Sequence, residues 1–257
     1  MPGAASYRSA RNPVKLLQRM GAATARLITP WDVPTYTAAE TGRLVGLQPS
    51  RVRRWLRGYE YDVAERETST TRRVRQQPVI HQGDNETPFA SFLDLVDLLF
   101  VKKFLEAGVS LQKLRRAMEE ADNLIGGHHF AQRSFFTDGR NIYIEVRDRA
   151  DALLELLTGG QWVIAPVIKH LATEIKFHEG TGFAERWFPL GTQASVVVDP
   201  RVSFGAPTIV GKGIETANIY DLYLAENERT EAVASWLGVE LKHVQDAVAF
   251  ESRLKAA

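Results

Sequence analysis

The chain has 257 residues, 44% of them apolar, with 32 lysines and arginines against 31 acids and no cysteine. That length holds one large domain or two to three small ones. The absence of cysteine excludes disulfides and cysteine-based zinc sites or nucleophiles, and no run of about 18 apolar residues marks a membrane-crossing helix. The near balance of charge conceals an asymmetry. Residues 1–75 carry 14 basic and 6 acidic side chains, whereas 76–257 carry 18 and 25. A nucleic-acid surface is expected at the basic end, with the acidic remainder freer to meet another protein.

The first thirty residues hold no acid but contain Arg8, Arg11, Lys15, Arg19 and Arg26. They read as a flexible basic arm, assigned to 1–34, rather than a targeting signal, because a secretory leader needs a longer apolar run. From Tyr36 to Arg57 two short helices meet at a sharp turn. Thr37 and Glu40 have the spacing of a capping box. Ala38, Ala39 and Leu44 line one face of the first helix, and Gly46 suits the left-handed turn that ends it. Pro49 or Ser50 opens the second helix, where Val52, Trp55 and Leu56 can point inward. Arg51, Arg53, Arg54 and Arg57 are left on its outer faces. A helix-turn-helix with a cationic second helix fits a DNA major groove. An ordinary helical hairpin with a solvated basic face is the alternative, but spacing, turn and charge agree on DNA.

A polar stretch follows, Gly58 to Gln77, with Arg66, Arg72, Arg73 and Arg75. Pro78–Gln82 is a short strand candidate before the turn residues Gly83, Asp84 and Asn85. Two strands around a basic loop would form a wing against the DNA backbone; a charged loop without order is the other reading, and both stand. Arg72, Arg73 and Arg75 would add sequence-independent affinity in either case. Ser91 then caps a helix with Phe92, Leu95, Val96, Leu98, Leu99, Val101 and Phe104 as its apolar set. Gly108 ends it, and Ser110 starts another with Leu111, Leu114, Ala117 and Met118. Tyr36 to Trp55, Ser91 to Val96, Lys102 to Phe104 and Ala107 to Leu111 with Leu114-Arg115 together resemble the MerR-like winged-helix family. The resemblance spans about 35–122 and implies a DNA-binding domain over 35–125. MerR regulators continue into a long dimerisation helix, whereas this chain breaks at Gly126-Gly127-His128-His129, so the family's dimer geometry is not carried over.

The middle region, 126–192, reads as β-rich. Phe135 to Ile144 suits a hairpin turning at Asp138-Gly139. Asp151 to Leu157 suits a short helix, Trp162 to Ile164 opens a further element, and Glu174 to His178 alternates as a strand does. The last unit, 193–257, contains Asp199-Pro200, Phe204-Gly205, Pro207, Gly211, Ile214, Ala232 to Ala234, Val244 and Ala247. That order resembles domain of unknown function 433, a small helix-turn-helix-like module, with Gly211-Lys212-Gly213 in place of the commoner Gly-Thr-Arg. The three parts in this order resemble the long VapB-type antitoxins of actinobacteria. The resemblance implies a cytoplasmic antitoxin that binds promoter DNA and masks a PIN-like ribonuclease toxin, with a homodimer as the expected assembly.

Enzymatic constellations are thin. His170, Glu174 and His178 share a face only if one helix continues through all three, and Pro166 with the Ile175/Phe177 alternation opposes that. His128-His129 sits on a loop, and Gly211-Lys212-Gly213 lacks a phosphate fingerprint. Asp138, Asp148 and Asp199 form no pair. No catalytic residue, metal site or cofactor is therefore expected. Glu119-Glu120-Asp122 and Glu226/Glu228/Glu231 read as solvated helix faces, with a surface opposing a basic nuclease as the other reading. Trp162, Trp187 and Trp236 read as core or domain-interface residues rather than binding hot spots. Leu241, Val244, Val248 and Phe250 exceed what one short helix need bury, which suggests a partner or oligomer interface. The expected architecture is mainly α within an α+β class: an N-terminal winged helix-turn-helix, a β-rich middle and a C-terminal helix-turn-helix-like module. A MerR-like regulator sensing a small ligand is the alternative function, and a metal-dependent hydrolase using the middle-region histidines a third.

Overall fold

The computed structural model describes residues 29–64, 71–80, 89–116, 130–132 and 170–256. The arm to residue 28, the Gly126–His129 break, the Phe135–Ile144 hairpin, the Asp151–Leu157 helix and Trp162–Ile164 lie outside them. The fold is α+β and mainly α. Helices α1 (Ala38–Val45) and α2 (Pro49–Arg57) form the helix-turn-helix. Thr37 Oγ1 accepts the Glu40 N–H at 3.2 Å while Glu40 returns a carboxylate to the Thr37 N–H at 2.8 Å. Two otherwise orphaned donors are satisfied together, which sets where the helix begins. Gly46 ends it at φ +71°, and the Lys102 ammonium donates to the last carbonyl, Val45 O, at 2.8 Å.

An antiparallel hairpin follows α2 directly, β1 (Tyr59–Ala64) with β2 (Thr71–Gln76), in a register running from Tyr59↔Gln76 to Ala64↔Thr71. Both strands come from the polar stretch, and of the strand expected at Pro78–Gln82 the described residues, 78–80, are not in a strand. Val79 and Ile80 instead turn inward, fully buried, and both N–H groups donate to Trp55 O at 2.7 and 3.1 Å. Burying two branched apolar side chains under α2 outweighs extending the ladder.

Helix α3 (Phe92–Glu106) is the centre of the molecule. Ser91 and Asp94 close a second capping box at its start, at 2.8 and 3.1 Å. Nearly every side of its first three turns is buried, because α1 packs on one flank and strand β4 on another. Phe130 stacks on Phe100 and Phe104 with ring centroids 5.8 and 5.2 Å away, and the Ala131 N–H donates to Asp97 at 2.9 Å. Gly108 turns the chain at φ +89° before a further helix over 111–116.

Strands β3 (Ile175–Phe177), β4 (Ala184–Trp187), β5 (Val196–Val198) and β6 (Pro207–Ile209) make one antiparallel sheet in sequential order. The Glu174–His178 alternation thus becomes β3. Trp187 pairs with Val198, so the division set at residue 192 falls inside a sheet rather than between units. Helices α4 (Thr216–Ala225), α5 (Thr230–Leu237) and α6 (Leu241–Ala256) close the fold, with α6 packed on α4, α5 and β5.

Candidate nucleic-acid interface

Val52, Trp55 and Leu56 point α2 into the core and leave Arg51, Arg53, Arg54 and Arg57 exposed on its outer side, as the spacing predicts. Leu47 donates its N–H to Gly42 O at 2.8 Å, and a Cβ on Gly42 would strike Leu47 O at 2.5 Å. The glycine is what lets the two helices close on so short a turn. Two arginines are steered by aromatic rings. Arg51 lies 5.9 Å from the Trp55 ring centroid and Arg54 lies 5.3 Å from that of Tyr59, the first residue of the hairpin. Such contacts hold a guanidinium without using its donors, which stay available to an anion.

The hairpin extends this basic surface unequally. Arg72, Arg73 and Arg75 are all exposed on β2. Alternation places Arg73 and Arg75 on one face, opposite Asp62 and Glu60, and Arg72 on the other, opposite Val63. Arg73 is engaged there, 3.3 Å from Asp62 and 3.9 Å from Glu60. The arginine-rich strand therefore carries its own partial neutralisation.

Behind α1 lies a junction with the C-terminal module. The Tyr36 hydroxyl donates to Gly205 O at 3.0 Å, and a Cβ on Gly205 would sit on that phenol. Burial pushes the phenol above its ordinary pKa, helped by the charges of Asp199 and Glu40. Arg43 on α1 reaches Glu251 on α6 at 3.3 Å; that carboxylate is buried and also accepts from the Thr216 hydroxyl. A cleft of about 440 Å³ runs beside the pair, lined by Gly42, Arg43, Leu47, Gln48 and Arg51 from the helix-turn-helix and by Leu254 from the end of α6. Near Tyr36, Asp199 accepts a bidentate pair from Arg201 at 2.8 and 2.9 Å and a contact from Arg186 at 2.9 Å. Burial opposes ionisation of Asp199, but the hydrogen bonds and charges of Arg201, with the charge of Arg186, hold its carboxyl below the ordinary value. Tyr36, Arg43, Gly205 and Glu251 were not singled out by sequence reasoning for these contacts, because no local pattern links positions so far apart.

The other sequence expectations divide. Val244 and Phe250 are completely buried within this chain's own core and so do not line an outward surface, whereas Val248 is half-buried against it. The helix needs them because it packs against three elements at once. Leu241 is exposed. Trp187 is core, whereas Trp236 is 74% exposed, contrary to its reading as core or domain interface. His170 lies 3.5 Å from Glu174, but His178 does not join them. The helix ends at residue 173, Glu174 accepts the Trp187 indole N–H at 3.2 Å, and His178 packs on Trp31 at 5.0 Å between centroids.

Comparison with known proteins places this geometry. Residues 34–118 match the family model described as "Putative DNA-binding HTH domain", and residues 196–250 match "Protein of unknown function (DUF433)". The chain therefore carries a helix-turn-helix DNA-binding domain and a DUF433 module. It is similar along most of its length to the "Putative antitoxin VapB45" of Mycobacterium tuberculosis strain H37Rv, 26% identical over 230 residues that cover 85% of this chain and 94% of that protein. "Uncharacterized protein Rv2308" of the same organism is 22% identical over 243 residues, covering 88% and 93%. The crystal structure of Rv2018 from Mycobacterium tuberculosis superposes with a TM-score of 0.57 at 22% identity, over 85% of this chain and 98% of that one, a likeness of fold. Among the described residues no helix is long and apolar enough to cross a membrane.

Proposed function

We propose that this chain is the antitoxin of a type II toxin–antitoxin pair. It is a cytoplasmic, non-enzymatic protein without a cofactor that represses its own promoter and neutralises a PIN-like ribonuclease toxin, acting as a homodimer. The observation that carries the DNA half is α2, a short helix of the helix-turn-helix with four exposed arginines and an apolar inner side. Arginine on a helix in the major groove reads guanine edges bidentately or grips phosphates. The β1–β2 hairpin serves as a MerR-like wing along the backbone, with Arg72 and Arg75 supplying sequence-independent affinity. The antitoxin half rests on the similarity to a protein named as a putative antitoxin, which extends over 85% of this chain and 94% of that protein.

The test has two arms. Fluorescence-anisotropy titration of the full chain with its own promoter DNA should give specific binding that is lost when Arg51, Arg53, Arg54 and Arg57 are all replaced by alanine. Co-expression should relieve the growth arrest caused by the nuclease of the adjoining reading frame. Unchanged promoter affinity in the fourfold variant removes the first assignment, and persistent arrest removes the second.

A further inference from the structure

We propose that the nuclease partner docks on the outer face of α5 and the turn after it, with Trp236 as the anchor. This rests on the antitoxin reading and names the surface it uses. Trp236 is 74% exposed and Leu241, five residues on across the turn, is 37% exposed. Leaving a tryptophan in water forgoes the burial of one of the largest apolar side chains, and tryptophan is enriched among residues that dominate interfaces. The charges flanking it are acidic on balance, because the exposed cations Arg229 and Lys242 are each paired with a carboxylate. Glu228 and Glu231 precede it and Glu240 follows it. The cations nearest in the chain are engaged internally, Arg229 with Glu226 at 3.1 Å and Lys242 with Asp246 at 2.6 Å.

That charge selects the occupant. DNA phosphates are repelled by it. In a symmetric pair the same patch meets itself, so a second copy would set acid against acid. A basic protein surface with an apolar pocket is complementary. A ribonuclease presents such a surface, because the groove that holds RNA phosphates is cationic. The module thereby faces the nuclease while α2, on the other module, stays on DNA.

The experiment uses the full chain and the purified nuclease encoded beside it, with binding followed by calorimetry and self-association by sedimentation. Trp236→Ala should weaken nuclease binding about 30-fold or more, the size of an anchor residue's loss, with promoter binding and the thermal melt unchanged. Glu231→Lys with Glu240→Lys should slow association and flatten its salt dependence. Nuclease binding as tight as the parent's in both variants overturns the assignment, as does a Trp236→Ala protein that loses self-association and keeps the nuclease. If the unaltered chain does not bind the nuclease at all, the antitoxin reading falls and this surface falls with it.

Discussion

Arg54, held over the Tyr59 ring, is placed at the joint between helix and hairpin. If it reads a base, Arg54→Ala should cost about 1–3 kcal/mol of promoter affinity and relax discrimination at one position. A phosphate role would weaken all sequences alike and lower the salt slope by about one. Arg73 and Arg72 are neighbours with different expectations. To reach a phosphate Arg73 must leave Asp62 and Glu60, whereas Arg72 has no ladder acid opposite. Arg72→Ala should therefore reduce affinity more than Arg73→Ala in the same titration, and the reverse order would rule out this use of the hairpin. Trp55 is a packing residue, buried in the common core from α2. Its truncation should cost about 3–5 kcal/mol and abolish DNA binding indirectly. A Trp55→Ala protein that melts like the parent would contradict that.

At the scale of elements, α6 does more than its sequence pattern announces. Its inner face fills the C-terminal core through Val244, Ala247 and Phe250, and its last turns reach the helix-turn-helix through Glu251 and Leu254. Val244→Glu and Phe250→Glu should unfold this module rather than only disturb an assembly, since each leaves an unpaired charge in a desolvated core. Loss of the far-ultraviolet helical signal from α4–α6 checks this; a folded variant would show that the core yields more than its packing implies. Arg43→Ala leaves the buried Glu251 with Thr216 as its remaining side-chain donor. Because Arg43 is itself 44% exposed, the cost should fall between that of a surface pair and a buried one, about 1–3 kcal/mol. A double-mutant cycle with Glu251→Gln measures the coupling; additive effects would mean the two modules are not joined here.

For the whole molecule the carboxylates set the acid limit. Asp199 and Asp246 are both held below their ordinary value of 3.8. In each, burial works the other way and hydrogen bonds win: from Arg201 to Asp199, and from Lys242 and the Ser195 N–H to Asp246. A lowered folded pKa means that the unfolded chain binds the proton first as pH falls. The stabilisation is thus complete above about pH 4 and is lost as pH drops through the lower folded values. Stability measured by urea melts should fall steeply below about pH 4, and Asp199→Asn should flatten that limb. A limb of unchanged slope in the variant would exclude Asp199 as its source.

The amino-acid order by itself determined the helix-turn-helix: Thr37 with Glu40, Gly46, and the inward spacing of Val52, Trp55 and Leu56 are relations among neighbours, and backbone capping acts within one turn. It equally determined that Arg51, Arg53, Arg54 and Arg57 point outward, and that Ser91 starts the central helix. The hairpin was only half legible, because its strands are polar and their pairing is what orders them; Val79 and Ile80 looked like a strand and were claimed by the core. Tertiary structure alone decided the rest. Tyr36 meets Gly205 and Arg43 meets Glu251 across more than 160 residues, and no periodicity encodes such a meeting. Val244 and Trp236 show the same limit from opposite sides. Both are apolar residues on helices of one module, and which of them is buried depends on where the neighbouring elements lie, a property of the packed chain that hydropathy does not contain.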